Sequence, residues 1–153
     1  MKNDWMAAKA LLLDGGYTCV LCGNGQTHCH RERGVLPLLA HVRAGEKLNG
    51  FVAADRVVGK AAAFLYVLLE IEELYVGILS RPAADVLRRY GIAVHCDTLT
   101  DMIRNRAGDG YCPMEQAVWQ IEQPEQAREA IEARLAELNA AKADENRKEI
   151  KKK

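Results

Sequence analysis

The sequence predicts an α/β domain: a three-layer α/β/α sandwich around a mixed sheet of about four or five strands. Three observations carry this expectation. Asn24-Gly25 lies between "YTCVLC" and "THCH", and Asn-Gly suits a type I′ turn, whose two central residues both take positive φ. Tyr17–Cys22 and Thr27–Arg31 are therefore expected to pair antiparallel. "LYVGILS" (Leu74–Ser80) is an apolar run of strand length, followed by a helical segment from Arg81 to Tyr90 and a second strand, "IAVHC" (Ile92–Cys96). That order and spacing describe a parallel βαβ unit. Segments of helical pattern fill the rest, so helices alternate with strands.

In chain order, Trp5–Leu13 is a short amphipathic helix stopped by Gly15-Gly16, and the hairpin follows. Pro37–Arg43 is a helix with proline in its first turn and Gly45 at its end. "GFVAADRVVGKAAAFLYVLLEIEE" (Gly50–Glu73) reads as a turn leading into a helix from about Ala54 to Glu70. From Ala61 to Leu69 that helix is apolar all round, so it is covered on more than one side. Beyond the βαβ unit, the pattern predicts a short helix at Thr100–Asn105, the loop "RAGDGY" and a helix opening at Pro113 in "CPMEQAVWQ". A last helix, Gln123–Asn139, sets Ala127, Ile131, Leu135 and Leu138 on one stripe. Residues 1–141 form one domain, and residues 142–153 are expected to be a charged, solvated or frayed tail.

Composition narrows the function classes. Lys+Arg and Asp+Glu both total 21 in 153 residues, so no global field recruits nucleic acid or an anionic membrane. The basic "RKEIKKK" at the end reads as a solvated terminus. No apolar run reaches membrane-spanning length, and charge interrupts the apolar N-terminal stretch, unlike a signal peptide. Five cysteines, an odd number, fit reduced thiols in the cytoplasm.

The order helix, hairpin, helix, strand, helix, strand resembles the cytidine-deaminase-like fold. Zinc deaminases of that fold carry H-x-E at the start of one core helix and P-C-x-x-C at the start of the next. The corresponding stretches here read Ala53-Ala54-Asp55 and Pro82-Ala83-Ala84-Asp85-Val86. The resemblance thus implies that Ala53, Ala83 and Val86 replace the zinc ligands, with Asp55 near the place of the catalytic glutamate. Methyl and isopropyl groups cannot ligate zinc, so classical zinc deamination, a bound metal and a cofactor are not expected. The stretches "YTCVLC", "RGVLPLL", "GFVAADRVVGKAAAFLYV", "VLRRYGIAVHCDTL" and "NRAGDGYCPMEQAV" also resemble an uncharacterised bacterial family of unknown function with this fold and without its zinc ligands. That family implies a fold and a cleft but no activity.

Two candidate sites follow from the residues. In "NRAGDGYCPME", Cys112 stands at a helix start, where unpaired N–H groups and the helix dipole stabilise a thiolate. Gly108 and Gly110 let backbone donors approach an anion, Arg104 and Arg106 supply charge, and Asn105 adds a donor and an acceptor. The structural alternative is a tight turn with Cys112 as a small cap and Glu115 satisfying first-turn N–H groups. The second candidate is Asp55 with Lys60. Asp55 would bind or deprotonate a ligand group and Lys60 neutralise an anion, or Asp55 is a helix cap and Lys60 is solvated.

Cys19 and Cys22 in "CVLC" lie three apart on a strand, facing opposite sides, so they are not a pair; Cys19 alone can face the cleft. His28 and His30 share one strand face, but no third ligand is visible in sequence, and His41 and His95 stand apart. A solvated hairpin face is the simpler reading. Three functions fit: a domain binding a nucleotide- or nucleobase-like ligand between Asp55, Lys60 and the glycine loop; a cysteine-dependent transferase or hydrolase using Cys112; or a homodimeric interaction protein associating through Ile131, Leu135 and Leu138.

Overall fold

The computed structural model describes residues 4–105 and 107–151. Helix α1 (Trp5–Gly15) is capped by the Asp4 carboxylate, which accepts from Met6 N–H at 2.8 Å, and ends at Gly16 with φ 68°. Strands β1 (Cys19–Gly23) and β2 (Gln26–His30) form the expected hairpin, with Asn24 and Gly25 at φ 49° and 76°. Helix α2 is Leu36–Arg43. Next come β3 (Val52–Val58), α3 (Lys60–Leu69), β4 (Glu73–Ser80), α4 (Arg81–Arg89) and β5 (Ala93–Thr100). Two helices close the chain, α5 (Pro113–Ala117) and α6 (Pro124–Lys151).

The sheet order is β2-β1-β3-β4-β5, with β1 antiparallel to β2 and β3 and with β3, β4 and β5 parallel. Helix α1 covers one face through Ala8 and Leu12, which pack on Val20, Val52, Ala54 and Tyr75. The larger core lies on the other face, where α2, α3, α4 and α6 bury Leu39, Phe64, Leu65, Leu87 and Ile131 among others. The α/β class, the mixed sheet and the flanking helices are as the sequence predicts.

Two expectations fail. The helix expected from Ala54 begins only at Lys60, and Asp55 lies in strand β3 between β1 and β4. Val52, Val57 and Val58 favour a pleated surface, and Gly59, extended at φ −100° and ψ −175°, ends the strand and caps the helix. No helix forms at Thr100–Asn105 either: β5 continues to Thr100, and Arg104 bridges Tyr111. The last helix extends past Asn139 to Lys151, and residues 136–147 are exposed.

Strands β3 and β4 also share a break in alternation. Ala53 and Val58 face the larger core from β3, and Leu74, Val76 and Leu79 face it from β4. Each strand therefore skips one residue at the same level, leaving Val57 and Ile78 exposed. Gly77 permits this, because a Cβ there would lie 2.7 Å from the Arg56 carbonyl oxygen.

Candidate functional site

Asp55 and Cys19 are direct partners across β3 and β1, so their side chains share one sheet face. Helix α3 lays Tyr66 against that face. The Tyr66 hydroxyl donates to Asp55 Oδ2 at 2.7 Å and lies 3.4 Å from Cys19 Sγ. With the phenolic hydrogen committed to the carboxylate, the thiol donates to the phenolic oxygen, giving a relay from Cys19 through Tyr66 to Asp55. Val57 N–H reaches Asp55 Oδ1 at 3.4 Å.

Burial sets the protonation of this group. It lifts the Asp55 carboxyl from 3.8 to about 7, against the opposing pull of the Tyr66 and backbone hydrogen bonds. Burial raises the Cys19 thiol, and the charge of Asp55 raises it further. Tyr66 is likewise pushed up, first by burial and then by Asp55. At neutral pH the thiol and the phenol stay protonated, while Asp55 divides between its two forms. Replacing Tyr66 with phenylalanine removes a bond that favours the carboxylate, so Asp55 should titrate above its value of about 7. Carbon-detected NMR titration of the Asp55 carboxyl checks this.

Asp55 and Cys19 line a cavity of about 440 Å³ together with Thr18, Arg33, Gly34, Arg56 and Val57. Arg56 is already engaged, donating to the carbonyls of Tyr17 at 2.6 Å and Leu12 at 3.1 Å. It thereby places positive charge on the carbonyl end of α1. Arg33 is exposed at the rim.

Lys60 belongs to a different cavity, of about 280 Å³, at the N-terminal ends of α3 and α4, lined also by Pro82, Val86, Arg89, Glu115, Trp119 and Glu122. Lys60 is not solvated: it is 8% exposed, and its ammonium donates to the Trp119 carbonyl at 3.1 Å and Glu122 Oε1 at 3.4 Å. Arg89 holds the other Glu122 oxygen at 2.9 Å. Glu115 does not cap its own helix. Its carboxylate accepts from Lys60 N–H at 2.9 Å and Ala61 N–H at 3.2 Å, closing the first turn of α3. A Cβ on Gly59 would lie 2.0 Å from Glu115 Oε1, so a side chain there would push this carboxylate out of its place. Burial raises the Glu115 carboxyl, while the two backbone donors and Lys60 pull it back.

The glycine loop serves neither cavity. Asn105 N–H donates to the Gly110 carbonyl, Gly108 N–H to the Asn105 carbonyl, and the Asn105 amide to Asp109 at 3.0 Å, so the loop closes on itself. Arg106 lies outside the described residues. Cys112 stands at the N-cap of α5 without a side-chain capping bond, and packs against the larger core. Asp55, Lys60 and Cys112, expected across one cleft, are therefore separated: Asp55 lines one cavity, Lys60 another, and Cys112 neither. The residues missed by sequence are Tyr66 and Arg33. Tyr66 carried a signal, since a tyrosine within an all-apolar helix needs a partner for its hydroxyl.

Fold and cavities define a small α/β domain with a five-stranded mixed sheet and a buried thiol–phenol–carboxyl relay open to a pocket. Residues 7–135 match the model of a domain of unknown function, DUF1893, and the chain belongs to that family. Among solved structures it is similar to a DUF1893 family protein (TM1506) from Thermotoga maritima, with 22% identity and a TM-score of 0.75. That similarity covers 86% of this chain and 88% of the other. No curated protein matches the sequence. No helix among the described residues is long and apolar enough to cross a membrane.

Proposed function

We propose that this chain is a deaminase-like domain without the zinc ligands that binds a small nucleobase- or nucleotide-like ligand in the Asp55 cavity. The observation that carries this reading is the Asp55 carboxyl, fixed by Tyr66, lining a pocket and titrating at about 7. Such a group can accept from an N–H or donate to a carbonyl, which suits the alternating edge of a nucleobase. Arg33 at the rim supplies charge for an attached anion. The deaminase comparison is supported by the hairpin followed by parallel β3, β4 and β5. Its alignment shifts, however: the core helices start at Gly59-Lys60-Ala61-Ala62 and Pro82-Ala83-Ala84. Neither start carries histidine or cysteine, and the first is filled by Glu115.

A thermal-shift series with nucleobases, nucleosides and nucleotides tests the reading. A ligand at a hundredfold its dissociation constant adds about 2.7 kcal/mol to stability. At least one compound should stabilise the wild type and lose about tenfold in affinity with Asp55→Asn, the scale of one charge-assisted hydrogen bond. No shift with any compound, or equal shifts in both proteins, would remove the proposal. The cysteine-nucleophile reading is weaker, because the Cys112 thiol packs against the core. Of the three residues of the dimerisation reading, Ile131 is fully buried within the domain, Leu135 packs against its core and Leu138 is exposed.

A further inference from the structure

A third group of side chains lies on the hairpin, apart from both cavities described above. His28 and His30 stand two apart on β2, and α2 brings His41 against them. The Nε2 atoms of His30 and His41 are 2.9 Å apart. The rings of His28 and His30 each have their centroids 5.1 Å from that of His41, at steep angles. On its other side, His41 Nδ1 lies 2.6 Å from Glu46 Oε2. His41 is only 9% exposed. Two imidazoles from two elements meet nitrogen to nitrogen, a third ring lies beside His41, and His41 is held by a carboxylate.

Glu46 fixes the chemistry of His41. A carboxylate only accepts, so the Nδ1 hydrogen of His41 is committed to it, and Nε2 of the neutral ring presents a lone pair. His30 then donates its Nε2 hydrogen to that lone pair. A transition-metal ion can take the place of that hydrogen once His30 carries its proton on Nδ1 instead. Zinc–imidazole bonds of about 2.0–2.1 Å on a tetrahedral ion set two nitrogens roughly 3.3 Å apart, so the pair must open by only about 0.4 Å. A carboxylate on the far nitrogen is the outer partner that orients metal-bound histidines.

We propose that His30 and His41 form the seat of a divalent transition-metal ion of the zinc class, with His28 within reach as a third imidazole and water completing the coordination. Among the described residues no three histidine, cysteine or acidic side chains already converge as a finished metal cage. The seat is therefore a two-histidine one that His28 completes by turning its ring. His28 and Glu46 also line a cavity with Gln26, Lys47 and Phe51. The site is independent of the ligand proposed for Asp55.

The test is a cobalt(II) titration of the full chain, stripped with chelator and kept reduced. Visible absorption reports coordination, and zinc is added as competitor. The wild type should take up one equivalent with saturable bands that zinc abolishes. His30→Gln should weaken uptake at least about tenfold and His28→Gln by a smaller factor, the range that loss of a contact around a metal produces. A Cys22→Ser/Cys29→Ser variant should bind as the wild type does. Because His41 is buried, His30→Gln decides the outcome if His41→Gln fails to fold. No saturable uptake at millimolar cobalt, uptake untouched by His30→Gln, or uptake lost with the two cysteines would overturn the proposal.

Discussion

Asp55→Asn should stabilise the protein at pH 8 and leave it almost unchanged at pH 4. The native carboxyl titrates at about 7, against 3.8 ordinarily. Between those values the folded protein holds a proton that the unfolded chain has released. Stability from this residue is therefore fully present below about pH 4 and falls as the pH rises toward 7. The gap corresponds to about 4 kcal/mol at most. Asparagine reproduces the shape of the protonated acid, keeps an oxygen for the Tyr66 hydroxyl, and has no charge to bury. At about 2–4 °C per kcal/mol for a chain of this length, the melting temperature of the variant should exceed that of the wild type by up to about 8–16 °C at pH 8. Melting curves recorded across pH 4–8 check this, and a wild type and variant that run parallel throughout would refute it. Since the variant is expected to be the more stable protein, a loss of ligand binding in it could not be blamed on unfolding. Retaining a costly carboxylate is what a site that needs its proton would do.

Glu115→Ala should have the opposite effect and a comparable size. It leaves the Lys60 and Ala61 N–H groups without their acceptor inside the core and removes an acid beside the nearly buried Lys60. Each orphaned buried donor costs about 1–3 kcal/mol, so a loss of about 3 kcal/mol, or roughly 6–12 °C in melting temperature, is expected. Glu115→Gln keeps one acceptor oxygen and should fall between the two. Urea unfolding at pH 7 orders the three proteins. An alanine variant as stable as the wild type would show that α3 needs no cap from Glu115.

Legibility in the sequence followed the range of the interactions. The hairpin was readable because Asn24-Gly25 decides its turn locally. The β4–α4–β5 unit was readable because Pro82 and Gly91 bracket the helix. The helix expected from Ala54 is a strand up to Val58 because a short apolar run with two charges fits strand and helix alike. Only pairing with β1 and β4, both distant in sequence, settles it. The sequence points to Asp55 as a helix start, whereas its character comes from burial in the sheet and from the Tyr66 hydroxyl one element later. Glu115 was expected to cap its neighbours, but the donors it finds lie more than fifty residues earlier. His41 looked isolated because nothing local links α2 to the hairpin.

The Glu115 cap also bears on how the chain is made. The first turn of α3 depends on a side chain that leaves the ribosome only after β4, α4 and β5 have been synthesised. During synthesis, β1 to β4 can assemble around an α3 whose leading N–H groups are still hydrated. The helix start closes when the 113–118 segment arrives, so the domain is sealed late by a residue its earlier part cannot supply.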